Sequence, residues 1–173
     1  MSFSRHAAAL AFACSCASPA VGQLLPHKDL SLAVALAIAT GAAEHCKAQG
    51  YAVSVAVVGR EAQVLVHLRG DGSPPHSTEN SYRRAYTAVT YRRPSADVEK
   101  RVRNDPGDQL VHLREVIGAQ GGLPIMVDGD VIGAVAVSGS PGGDKDEACA
   151  RAGIEKVPWE GCPRNPLASR CVA

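Results

Sequence analysis

Aromatic side chains are scarce in this 173-residue chain, where Phe, Trp and Tyr together make up 4%. That scarcity argues against a nucleic-acid stacking platform, which needs exposed rings. It also leaves the core to be built from Ala, Val, Leu and Ile. Charge of one sign is missing too: 18 basic residues face 17 acidic ones, for a net charge of +1. Nothing here points to a polyanionic partner. No CxxC and no HxxxH or HxH pair occurs, so the usual zinc spacings are absent. There is no GxSxG nucleophile elbow and no Walker loop. No stretch is long and apolar enough to read as a membrane-spanning helix. What is present is a composition of 46% hydrophobic and 20% charged residues, suited to one packed domain of ordinary size.

Residues 1–22 stand apart. Arg5 and His6 precede the apolar run "AAALAFACSCA", and Ala20-Val21-Gly22 supplies small residues before Gln23. This is the pattern of a secretory signal peptide, which places the mature chain in a secreted or periplasmic setting. Removing it leaves Cys46, Cys149, Cys162 and Cys171. Disulfides are expected of them rather than a metal site. Cys46 and Cys149 fall on two expected helices that a bridge would staple, and Cys162 and Cys171 share a Pro-containing tail. The expected layout is a leader at 1–22, a domain at 23–157 and a tail at 158–173.

The domain begins with a helix capped by Asp29, in which Leu30, Ala33, Val34, Ala37, Ile38 and Gly41 lie near one stripe. The small members Ala33, Ala37 and Gly41 suit close packing on a sheet. Gly50 ends this helix. "YAVSVAVVG" and "QVLVHLRG" read as an antiparallel hairpin, with His67 on the face of Arg69. After the loop "DGSPP", Ser77 or Thr78 caps a helix to about Tyr91. "SADVEKRVRN" forms a further short helix. Residues 110–119 fit either helix or strand. "GLPIMVDG" and "DVIGAVAVSG" form a second hairpin around Asp128-Gly129. A glycine loop then opens a last helix near Asp144 that ends at Gly153. The order is α+β, helices covering an antiparallel sheet. Arg83-Arg84, Arg92-Arg93 and Lys100-Arg101-Val102-Arg103 gather basic charge on one helical region, either a positive patch or an ordinary solvated face.

Few residues announce chemistry. "SGSPGGDKDEACARAG" puts backbone N–H groups at a helix start, an arrangement able to hold a carboxylate or phosphate, with Lys145 adding charge; a tight strand-to-helix turn is the plainer reading. Among the histidines, His76 has the best setting, at a helix start beside Ser77 and Thr78. A helix N-terminus favours a neutral imidazole that can bind a metal. Arg69-Gly70-Asp71 matches an adhesion tripeptide, but such tripeptides are common by chance. No acid/base pair of diagnostic spacing marks an enzyme; Asp71, His76 and Glu79 are the groups nearest to one.

Several motifs together resemble the GlcG/HbpS-like haem-binding family: Arg69-Gly70-Asp71-Gly72, Ala85-Tyr86-Thr87-Ala88, Gly121-Gly122-x-Pro124, and the run from Ser138-Gly139 through Pro141-Gly142-Gly143-Asp144 to Asp146-Glu147. The likeness spans roughly residues 28–155 and is nearest to the secreted HbpS-type members. It implies a profilin-like α+β domain with a five-stranded antiparallel sheet, assembled into homo-oligomers. It implies haem as cofactor, iron binding, and in some relatives a sensor-kinase partner, haem degradation or an association with corrinoid enzymes. Carried over by motif, Thr87 would lie at the haem iron and Lys145 at a propionate. His76, by its own setting, is the other metal candidate, and Arg69 and Arg84 are further candidate cations for the propionates. The family's first hairpin turn commonly carries Asp and paired glycines; Gly59-Arg60-Glu61-Ala62 departs from that.

Overall fold

A computed structural model describes Gly22 and residues 24–159 of the chain. The expected leader, the tail and the Cys162–Cys171 pairing lie essentially outside these residues. The elements run α1 (Leu32–Ala48), β1 (Ser54–Gly59), β2 (Val64–Arg69), α2 (Pro75–Tyr91), α3 (Ser95–Asn104), a 3-10 turn (Gln109–His112), β3 (Gly122–Val127), β4 (Asp130–Ser138) and α4 (Gly143–Glu155). The strands form one antiparallel sheet in the order β2-β1-β4-β3. The α+β class expected from the element order is what is observed.

Alternation along the strands builds two cores. In β1, Val55 and Val57 face one side and Ala56 and Val58 the other. In β4, Val135 and Val137 follow the first side, Ala134 and Ala136 the second. The first side packs under α1 and α4, through Ile38, Ala39, Ala42, Ala150 and Ile154. The second packs under α2, through Ala85, Ala88 and Val89. Alanines on that side keep α2 close to the sheet. Gly122 makes the approach possible, since a Cβ there would stand 2.5 Å from the Arg84 carbonyl oxygen.

The second hairpin turns as expected: Asp128 and Gly129 both hold positive φ, 52° and 86°, as a two-residue primed turn requires. The first hairpin carries a bulge. Val57 pairs with Val66 but Val58 pairs with Val64, which leaves Leu65 as the extra residue. Val64 therefore changes side relative to Val66, and regular strand alternation breaks there.

Helix ends differ from expectation in instructive ways. Ser31, not Asp29, caps α1, its Oγ accepting from the Val34 N–H. Asp29 instead pairs with Arg60 of the first hairpin turn. Ala33 and Ala37 are exposed, so only Gly41 of the expected small-residue stripe meets a neighbour, here α4. Helix α2 starts at Pro75, whose missing N–H costs nothing at a first helical position. Ser77 is thereby inside the helix and donates its hydroxyl to the Pro74 carbonyl. Gly153 does not end α4. A Cβ there would lie 2.5 Å from the Ile38 carbonyl oxygen, so glycine serves the contact between α1 and α4. Cys46 and Cys149 join these same helices by a disulfide, with Cα atoms 5.5 Å apart.

The expected fifth strand is not found: four strands form the sheet among the described residues. After the 3-10 turn, residues 113–120 pair with no strand, and only the Gly121 carbonyl, next to β3, accepts from the Val137 N–H of β4 at 3.1 Å. Their backbone bonds to helix side chains instead. The Ile117 N–H donates to Thr87 Oγ1 at 2.9 Å, the Gln120 N–H to Glu99 Oε2 at 2.7 Å, and Arg83 donates to the Val116 carbonyl at 3.0 Å. A segment whose backbone groups are satisfied this way has no need of a ladder.

Candidate functional site

One end of the sheet gathers most residues of interest. There β1 begins, β2 and β4 end, and α2 and α4 start. Gly139, at φ 130°, lies against the Ala52 carbonyl, and a cleft opens on either side of this contact.

The cleft on the α2 side has a volume of about 450 Å³. His76, Asn80 and Arg84 line it from α2, four residues apart and so on one helical face. Ser138, Ser140 and the Pro141–Gly143 turn line it from the other wall, with Asp146. Asp146 is buried, and it pairs at 2.7 Å with the mostly buried Arg84, whose side chain is 12% exposed. The same Arg84 Nη1 donates to the Val137 carbonyl at 2.8 Å, and the second Asp146 oxygen accepts from the Ser140 N–H at 3.0 Å. The glycine loop of the sequence is therefore a fixed wall, clamped by a buried ion pair.

The cleft on the α1 side is of similar size, about 440 Å³, and more apolar. Ala43, Tyr51, Val53 and Leu68 form its walls; Thr40, Glu44, Lys47, Gly70 and Asp71 complete it. Lys145, from the first turn of α4, holds its ammonium 5.5 Å from the centre of the Tyr51 ring, a cation–π contact. Neither Lys47 nor Lys145 forms an ion pair among the described residues.

The structure thus distributes the expected site residues. His76 and Arg84 share the α2-side cleft. Lys145 stands over Tyr51 of the α1-side cleft. Arg69 is exposed and donates to the Ser73 carbonyl at 3.1 Å, next to Gly70. Thr87 is fully buried. Its hydroxyl donates to the Arg83 carbonyl at 2.8 Å and accepts from Ile117, so both roles are taken. It holds the 113–121 segment on α2 and is not presented to either cleft. Asp71, His76 and Glu79 do not converge: Asp71 and His76 line different clefts, and Glu79 is exposed beside Arg83. The expected basic patch is largely neutralised by Glu79, Asp146, Asp130, Asp108 and Glu99. His67 is on the Arg69 side, as expected, with Nε2 at 3.1 Å from both the Thr78 carbonyl and Ser81 Oγ. Burial pushes its pKa below the ordinary value, against the Thr78 hydrogen bond. Among the described residues, no cluster of His, Cys, Asp and Glu is arranged to hold a metal ion, and no helix is long and apolar enough to cross a membrane.

Asn80, Tyr51 and Lys47 are cleft residues that the sequence did not single out, and Ser138 appeared there only as the start of a motif. The 76/80/84 spacing was a readable signal for Asn80. Tyr51 and Lys47 had none, because their cleft is assembled from α1, β1 and β2.

An antiparallel sheet with helices on both faces and two clefts at one strand end defines the class: a small α+β domain. Comparison with known proteins narrows it. Residues 30–155 match the family described as haem degrading protein HbpS-like, and the chain belongs to that family. It is 33% identical to Protein GlcG of Escherichia coli over 109 residues, 63% of this chain and 81% of that protein. It superposes on a double mutant of HbpS from Streptomyces reticuli with a TM-score of 0.72 and 36% identity, covering 80% of this chain and 95% of that one. A crystallised PduOC–haem complex shares the fold at a TM-score of 0.69 and 24% identity, over 75% of this chain and 96% of that one.

Proposed function

We propose that this protein binds haem, and that the porphyrin occupies the α1-side cleft. The observation that carries this reading is the pairing of apolar walls with free cations. Ala43, Tyr51, Val53 and Leu68 offer a surface for a flat macrocycle, and Lys47 and Lys145 offer charge for propionates. Family membership supports the choice of ligand. Arg69 lies one residue from the cleft-lining Gly70 and is a further propionate candidate. Arg84 is committed to Asp146 and supports the neighbouring wall instead. Tyr51 and Thr40 supply the hydroxyl oxygens of the cleft, and a phenol oxygen is an established type of haem ligand. Bound haem would supply iron chemistry; this chain's residues bind, orient and shield it. Secretion to an oxidising compartment, where the Cys46–Cys149 bridge persists, belongs to the same proposal, as does assembly of several copies.

Titration of the mature protein with haemin tests it. A saturable Soret shift is expected, with its position changed by Tyr51→Phe and its affinity lowered by Lys145→Ala and Lys47→Ala. Loss of the shift in His76→Ala alone would move the iron to the α2-side cleft. Dependence on Thr87 with the fold intact would return it to that threonine. No saturable shift at all overturns the proposal.

The family's description favours a second reading, haem degradation. The scatter of Asp71, His76 and Glu79 places it behind binding. Incubating the haem complex with a reductant and oxygen separates the two: released iron and a linear tetrapyrrole would establish turnover, and an unchanged Soret band would leave binding alone.

A further inference from the structure

The α2-side cleft has no part in the haem reading above, yet it is built like a site. Its carboxylate is satisfied: Asp146 uses one oxygen for Arg84 and the other for the Ser140 N–H, and Ser140 Oγ donates to the Gly142 carbonyl, while Arg84 donates through Nη1 and keeps a buried Nε without a partner. Three neutral or titratable side chains in the same walls are not. His76, Asn80 and Ser138 make no hydrogen bond among the described residues. Ser138 matters most, because it is only 2% exposed. It sits opposite Ser54 in the sheet, on the α2 side, yet the nearby hydroxyls bond to one another without it, Ser54 to Ser77 at 2.8 Å. With no partner in the protein, that hydroxyl has only the cleft to bond to. Facing a cleft, it points to a ligand.

We infer that this cleft binds a small monocarboxylate. The donors decide the class. The Asn80 amide, the Ser138 hydroxyl and the His76 ring line the same cleft as Gly143, the first residue of α4, whose N–H has no backbone acceptor. A carboxylate accepts from such a set. The charge balance decides the valence. Arg84 and Asp146 cancel, so the walls hold no surplus fixed cation to compensate a dianionic phosphate. Room beyond one carboxylate group, in about 450 Å³, suits a ligand carrying a further polar substituent.

Amide NMR of the full mature chain, titrated separately with acetate and inorganic phosphate, tests this. Saturable shifts of the Gly142, Gly143 and Asp144 amides are expected with acetate and not with phosphate. Asn80→Leu, at a half-buried wall position, is expected to weaken acetate binding about tenfold or more. It should leave the haemin titration unchanged, so failure here is distinct from failure of the haem reading. Ser138→Ala should weaken acetate binding as well, and tests the buried hydroxyl directly. Linear, non-saturating shifts with acetate overturn the proposal. So does a folded Asn80→Leu that binds acetate as the parent does. Tighter binding of phosphate overturns the valence argument and with it the assigned class.

Discussion

The two faces of the sheet are held by different physics. Beneath α1 and α4 lie Ile38, Ile154, Val55, Val57, Leu123, Ile125, Val135 and Val137, sealed by the Cys46–Cys149 bridge. Fully burying each such side chain contributes about 1.5–3 kcal/mol. Beneath α2 the sheet offers chiefly Ala56, Ala134 and Ala136, which contribute far less. That face relies on polar links: Arg84 to Asp146, Thr87 to Ile117, Ser54 to Ser77 and His67 to Ser81. Each face also carries its own cleft, apolar on the α1 side and polar on the α2 side. Small residues bring the backbone and its carbonyls near, and close backbone demands polar partners. The ligand chemistry of each cleft follows from how its face is held.

The sharpest way to break the apolar face is its covalent link. The bridge closes a loop with a sequence separation of 103, so Cys46→Ala with Cys149→Ala is expected to cost about 4–5 kcal/mol in denaturant unfolding. A loss below about 1 kcal/mol would show that burial alone holds α1 to α4.

On the polar face, Asp146→Ala leaves the Arg84 guanidinium buried and unpaired, at an expected cost of about 3–5 kcal/mol. Replacing both at once, Arg84→Met with Asp146→Leu, should recover most of that stability while changing the α2-side cleft. Should the double variant be no better than the single one, the pair is a packing element rather than a charge pair.

Thr87→Val keeps the shape and removes the hydroxyl. Leaving the Ile117 N–H without its acceptor is expected to cost about 1–3 kcal/mol. Exchange of that amide should accelerate while the haemin titration stays as it was. A changed Soret band in a folded Thr87→Val would contradict the structural role assigned here.

The smallest expected effect is a pH dependence at His67. Burial lowers its folded pKa below the ordinary value of 6.5. The stability associated with the neutral ring is therefore fully present above pH 6.5 and falls as the pH drops through the window below it, because the unfolded chain takes the proton first. His67→Gln should flatten that slope in urea midpoints measured across the window. An unchanged slope would show that other groups carry it.

Local signals were the legible part. Asp128-Gly129 announced its turn, because only a primed turn fits a two-residue hairpin and those residues tolerate positive φ. The other hairpin, α2 to Tyr91, and α3 over the expected residues were readable in the same way. The Leu65 bulge was not, since a one-residue register change leaves no mark in composition. Ser77 looked like a cap until Pro75 took the first helical position. Thr87 fitted an iron-ligand motif, but a motif does not reveal whether a hydroxyl is already occupied. Residues 110–119 were ambiguous because the partners of Val116 and Ile117, Arg83 and Thr87, are distant in sequence.

By itself, the sequence determined the class, the element order and the family likeness, because periodicity, turn chemistry and motif order are local properties. Tertiary structure alone decided the four-strand count, the exposure of Ala33 and Ala37, the burial of Thr87 and the separation of His76 from Lys145 into two clefts. Each of these depends on which distant backbone or side-chain group reaches a given atom first, and that is settled only when the helices meet the sheet.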